Sequence, residues 1–147
     1  MAESYAEAYA RCCAGTVERV QKRLGRDLTA REQRRIWNSG SLMMLEMVDR
    51  GLTEVPSTAA IEQELREMEK WTEERFQMAL AKLLELLPAW LGRAITDVER
   101  EALAQSEHLG VFMNLTERLP KAQPDQRETL LRAATGMDAG PGTLPSG

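Results

Sequence analysis

Nucleophilic or metal-binding chemistry in this 147-residue chain would have to come from two adjacent cysteines, Cys12 and Cys13, one histidine, His108, and a large stock of carboxylates. Adjacent residues on a helix project about 100° apart, too poorly aimed for a disulfide. Structural zinc wants about four Cys or His ligands, so the cysteines are read as small apolar residues and no metal site is expected. There is no glycine-rich phosphate loop and no G-x-S-x-G elbow. A di-iron bundle needs Glu-x-x-His, and the position three before His108 is Gln105. Glutamates on amphipathic helices are solvated surface before they are acids or bases. The expectation is a non-enzymatic chain with no catalytic residue, no metal and no cofactor.

Binding chemistry is better supplied. The stretch RVQKRLGRDLTAREQRR, residues 19 to 35, carries seven basic side chains against two acidic ones in a chain of net charge -4. Arg19, Lys22, Arg23 and Arg26 follow helical spacing on one face, and Arg31, Arg34 and Arg35 share a face beyond the Gly25 turn. Positive charge gathered at one end of a helical hairpin is what a phosphate contact requires, so nucleic acid is a possible partner. The competing reading is a solvated face, with cations complementing a helix C-terminus and pairing with nearby glutamates. Overlapping this stretch, LTAREQRRI, residues 28 to 36, resembles the opening of a LuxR-type helix-turn-helix. The likeness covers one capping box and one helical turn. Where a recognition helix would follow stands WNSGSLMMLEMVDRGL, with methionines and leucines in place of groove-reading polar residues.

A second charged face has the opposite sign. EQELREMEKWTEE, residues 62 to 74, holds six glutamates against Arg66 and Lys70. It could lie against the basic hairpin of the same chain, align two copies head to tail, or imitate the phosphates of DNA. Trp71 stands on the flank of this helix with Glu64, Glu67, Glu74 and Met78, off the apolar stripe. An aromatic ringed by polar groups is the usual form of an interface hot spot, so these five residues form the candidate protein interface, unless another helix of the chain covers the ring. Met43, Met44 and Met47 read first as pliable core filler and second as an adaptable docking surface.

The elements that must position these residues are all helices, because apolar positions recur at steps of three and four throughout. The expected fold is all-α, a helical bundle of antiparallel helices with one long central helix at residues 58–87. A first helix covers residues 2–24, with Gly25 as its stop. Thr29 and Glu32 form a capping box opening a second helix to Arg50, weakened at Asn38, Ser39, Gly40 and Ser41. The long helix carries the stripe Ile61, Leu65, Met68, Thr72, Phe76, Ala79, Leu83 and Leu86, with Pro88 as a kink or stop. Thr96 with Glu99 opens a helix through Leu119 that would bury Val98, Ala102, Leu109 and Phe112. Asp125 with Glu128 opens a last one to Thr135.

Residues 1–136 are expected as a single domain and 137–147 as a flexible Gly- and Pro-rich tail. Thirty helical residues span about 45 Å, more than a compact monomer of this length hides, so a homodimer is expected. No apolar run reaches membrane-spanning length and no leader is visible, which points to the cytoplasm and to no membrane partner. Arginine outnumbers lysine fifteen to four, as in a GC-rich bacterial or phage genome, so the cytoplasm could be a host's. The functional expectation is a protein-protein interaction module, an adaptor or inhibitor of a host complex. The alternative is a nucleic-acid-binding regulator using residues 19–35.

Overall fold

The computed structural model describes residues 2–137, so the expected tail, from residue 138 on, lies outside the described residues. Among the described residues the chain is all-α: α1 (Tyr5–Leu24), α2 (Ala30–Trp37), α3 (Leu42–Thr53), α4 (Thr58–Leu91), α5 (Asp97–Ala104), α6 (Gly110–Arg118), a 3-10 turn (Leu119–Lys121) and α7 (Pro124–Thr135). It divides into two compact units, residues 1–78 and 79–147, with the boundary inside α4.

In the first unit four helices run up, down, up and down. Gly25, at φ 73°, ends α1 and lets the chain reverse into α2. The α2 start is the expected capping box, Thr29 with Glu32. The Tyr9 hydroxyl donates to the Trp37 carbonyl (2.6 Å) and accepts from the Gly40 amide (3.0 Å), tying the N-terminal half of α1 to the end of α2. Helix α3 then runs parallel to α1. The Leu42 amide donates to Tyr5 Oη at one end, and Arg23 donates to the carbonyls of Thr53 and Val55 at the other. Helix α4 runs antiparallel to α3. A Cβ placed on Gly51 would lie 3.7 Å from Glu64 Oε2, and one on Gly40 would lie 3.3 Å from Arg75 Cδ. Between the helices sit Tyr9, Cys13, Val17, Val20, Ile36, Leu45, Leu52, Ile61, Leu65, Met68 and Phe76, all buried.

The expected second helix is therefore two helices. Asn38 to Ser41 do more than weaken it. The Ser39 hydroxyl takes the Ile36 carbonyl (2.7 Å), Gly40 turns at φ 104°, and Ser41 caps α3 by accepting from the Met44 amide (3.1 Å). Short polar side chains that bond the local backbone compete with helix continuation, and here they win. The reversal carries Met43 and Met47 outward, at 74% and 59% exposure, so they are not the core filler expected. Helix α3 also continues three residues past the expected end at Arg50, to Thr53.

In the second unit Leu80, Leu83 and Leu87 of α4 are buried together with Leu103, Leu109, Phe112, Leu115, Leu119 and Leu131. Pro88 does not stop α4, which runs on to Leu91 and ends at Gly92, φ 72°. The helix expected from Thr96 to Leu119 is broken at residues 105–109. His108 Nδ1 accepts from the Gly110 amide (3.2 Å), and Gly110 begins α6. Val98, expected inside, is 65% exposed, because α5 turns Leu103 and Glu99 inward. The last helix starts at Pro124, and Glu128 is not its capping carboxylate. It pairs with Arg93, which also grips Glu99 in two bonds of 2.9 and 2.7 Å.

Tyr9→Phe removes the one hydroxyl that serves both the Trp37 carbonyl and the Gly40 amide, at a partly buried turn. The expected loss is about 1 to 3 kcal/mol of stability in urea unfolding. Tyr5→Phe, where water replaces an exposed hydroxyl at the Leu42 amide, should cost less than about 0.5 kcal/mol. Equal effects of the two changes would contradict this account of the turn.

Candidate interaction surface of the first unit

The two charged faces of the sequence meet each other. Arg26 donates to Glu32 (2.9 Å) and to Glu62 (2.8 Å), bridging the start of α2 to α4. Arg31 pairs with Glu69, and Arg35 lies 3.4 Å from the same carboxylate while donating to the Leu65 carbonyl (3.1 Å). Arg34 grips Glu73 with two parallel bonds of 3.0 and 2.8 Å, and its guanidinium carbon stands 4.1 Å above the centre of the Phe76 ring. Such a fork is the geometry in which an arginine-carboxylate pair is strongest, and the ring face adds a cation-π contact. On α1, Arg19 pairs with Asp49, and Arg23 covers the carbonyls that α3 leaves open at its C-terminal end. Of the seven basic residues expected to face an anionic partner, six are engaged within the chain, and Lys22 is exposed.

The carboxylates register this. The Arg26 guanidinium, helped by the Thr29 amide, outweighs partial burial and brings Glu32 down to about 2. In the second unit Arg93 and the Thr96 amide hold Glu99 at about 2. Glu73 is lowered by Arg34. Burial pushes the Asp49 carboxyl up, but hydrogen bonds from Arg19 and Thr16 outweigh it and leave it below its usual range.

Only one flank of α4 is occupied in this way. Glu62, Glu69 and Glu73 face α2, whereas Glu64, Glu67 and Glu74 lie on the other side of the helix with Trp71 and Met78. Among the described residues none of those three glutamates forms a salt bridge; Glu67 accepts from the Gln63 amide (2.7 Å). The approaches of Gly51 to Glu64 and of Gly40 to Arg75 set the register of α3 against α4. Counting from the Gly51–Glu64 approach at equal rise puts residue 44 level with residue 71 and residue 47 level with residue 68. Trp71, half-buried, thus lies along the α3 side, level with half-buried Met44, and Met47 stands outside the seam. Met78 is 69% exposed at the end of the same flank.

The five residues expected as an interface share one flank of α4, and Met43 and Met47 are exposed on α3. The signal for them was the run Asn38 to Ser41: a break there rotates the methionines off the Ile36 face.

Burial pushes the Cys13 thiol up to about 12, so it stays protonated at neutral pH and is a poor nucleophile. In the pocket between α1 and α3, the Thr16 hydroxyl donates to Asp49 (2.5 Å) and Arg50 pairs with Glu46 (2.5 Å), so its polar groups satisfy one another. Among the described residues no group of three or more His, Cys, Asp or Glu is placed to hold a metal ion, and no helix is long and apolar enough to cross a membrane. No family model, curated protein or solved structure matches the chain.

The lowered carboxylates predict acid sensitivity with a definite window. A carboxyl whose folded value lies below its unfolded one stabilises the fold above the unfolded value and loses that contribution as pH falls through the folded one. For Glu32 and Glu99 the window runs from the ordinary 4.5 down to about 2. Urea midpoints should be flat above about pH 5 and fall steadily below it, and Glu32→Gln with Glu99→Gln should make that fall shallower. A decline beginning near neutrality, or an unchanged slope in the double variant, would contradict the assignment.

Proposed function

We propose that this chain acts by binding another protein through the outward face of α3 and the adjoining flank of α4, and that it is not an enzyme. The observation that carries the reading is the exposure of Met43, Met47 and Met78 around half-buried Trp71. Burying large apolar side chains against one another is the main favourable term of folding. Scattered exposed apolar residues are ordinary, but three methionines and a tryptophan on one pair of helices are a patch. Met and Trp are enriched at protein interfaces, and methionine's unbranched chain reshapes itself to a partner.

The nucleic-acid reading loses its support. Arg19, Arg23, Arg26, Arg31, Arg34 and Arg35 each already have a partner within the chain, so the basic stretch offers less free charge to a phosphate than its sequence suggests. The reason for expecting a homodimer is also weakened. The apolar stripe of α4 is buried in both of its halves, by Ile61, Leu65, Met68 and Phe76 in the first unit and Leu80, Leu83 and Leu87 in the second, so no second copy is needed to cover it. A role as adaptor or inhibitor follows from a chain whose working part is a contact surface.

The reading is tested by affinity capture from the source cell with the unaltered chain and with Met43→Ser plus Met47→Ser. A retained protein should be lost from the double variant while its melting temperature changes by only a few degrees, since exposed positions contribute little to stability. Retention that is unaffected by the double variant, or recovery of nucleic acid in place of protein, would contradict it.

A further inference from the structure

We infer that Met43, Met44 and Met47 form a site for one soft monovalent cation, the cuprous ion or its silver analogue, held by thioether sulfurs. The inference does not rest on the protein-binding reading above. On α3, Met43 and Met47 are i and i+4, and Met44 and Met47 are i and i+3. At about 100° per residue Met47 projects between the other two, so all three lie within one arc of the helix surface. Residues at these spacings carry Cβ atoms about 5 to 6 Å apart. Methionine is unbranched, with three rotatable bonds, so sulfurs on such neighbours can close on a single ion. The other five methionines, Met1, Met68, Met78, Met113 and Met137, each stand ten or more positions from the next. Three thioethers thus meet within two helical turns at one place in the chain.

The fold prepares this cluster. Ser41 caps α3 by accepting from the Met44 amide (3.1 Å), which fixes the backbone of the first turn. Met44 is half-buried, whereas Met43 and Met47 are exposed, so one sulfur is restrained and two are free to meet an ion from solvent. The donors select the ion. Neutral, polarizable thioethers favour Cu(I), while harder divalent ions take imidazole, carboxylate or carbonyl ligands. Charge on α3 gives a hard cation little help: Glu46 is paired with Arg50 (2.5 Å), and the first turn of a helix carries partial positive charge. The competing soft ligand is the half-buried Cys12 thiol, which lies with Leu42, Leu45 and Glu46 in the groove on the α1 side of α3.

The test labels the methionine methyl groups with carbon-13 and titrates silver(I) nitrate, which needs no reductant, into the full chain carrying Cys12→Ser. Single Met→Leu changes assign the resonances. One equivalent of silver should shift the methyls of Met43, Met44 and Met47 and leave those of Met68, Met78 and Met113 in place. Cuprous ion buffered by bicinchoninate under argon should move the same three, and zinc(II) should move none. Met43→Leu with Met47→Leu should weaken silver binding at least about tenfold by calorimetry, and Met78→Leu should leave it within about twofold. Leucine conserves volume and apolar character, so the melting temperature of the double variant should hold within a few degrees. In the unaltered chain the same three methyls should move by the second equivalent of silver. If they stay still there while moving in the Cys12→Ser chain, the thiol is the soft-metal ligand and the inference falls. No shift at all, a Met78 shift as large as those on α3, an equal response to zinc(II), or an affinity unchanged by the double variant would each overturn it as well. None of these results bears on the protein face, which is judged by the capture experiment above.

Discussion

Arginines of α2 gripping glutamates of α4 are the contact on which the layout of the first unit turns. An apolar stripe such as Ile61, Leu65, Met68 and Phe76 tells α4 only to bury one side. It tolerates rotation by a fraction of a turn, because aliphatic packing has no direction. The forked pair of Arg34 with Glu73, the shared carboxylate of Glu69 and the Arg26 bridge to Glu62 do have direction. Partly exposed pairs of this kind contribute only about 0 to 1 kcal/mol each. Their larger effect is on orientation: they bind one flank of α4 to α2 and so decide that the opposite flank, with Trp71, Met78, Glu64, Glu67 and Glu74, is presented outward beside α3.

That division gives the surface its character. On the α2 side, arginines and glutamates pair within the chain. On the α3 side, carboxylates without arginine partners surround apolar side chains that the fold does not bury. The second unit repeats the first device on a smaller scale, with Arg93 joining Glu99 of α5 to Glu128 of α7. It presents Val98 as its single large exposed apolar side chain among the described residues.

Much of this architecture is legible in local sequence, for reasons that are themselves local. Thr29 with Glu32 and Thr96 with Glu99 cap helices because both partners lie within one turn, and Gly25 and Gly136 end helices at left-handed φ because they lack a Cβ. The same pattern at Asp125 and Glu128 misleads, since Arg93, 35 residues away, claims the glutamate and Pro124 supplies the helix start. The break at residues 38–41 is marked by weak helix formers, whereas Gln105, Glu107 and Leu109 give no such signal; the turns there rest on Tyr9 Oη and His108 Nδ1 meeting the backbone. Both charged faces are visible in sequence as well. That they meet is not, because Arg34 and Glu73 are 39 positions apart and only the fold sets that distance. The methionines of α3 follow from the same limitation: continuous periodicity through residue 40 assigns them inward, and one reversal of the chain turns them out.

The central claim is that the basic stretch is an internal clasp and not a free anion-binding surface. A double-mutant cycle on Arg34→Gln and Glu73→Gln, read by urea unfolding at low salt, measures it most directly. The account predicts a coupling of about 1 kcal/mol that shrinks as salt is raised, with the single changes costing more than the pair because each leaves one charge uncompensated. Strictly additive effects, with no coupling at any salt concentration, would contradict it.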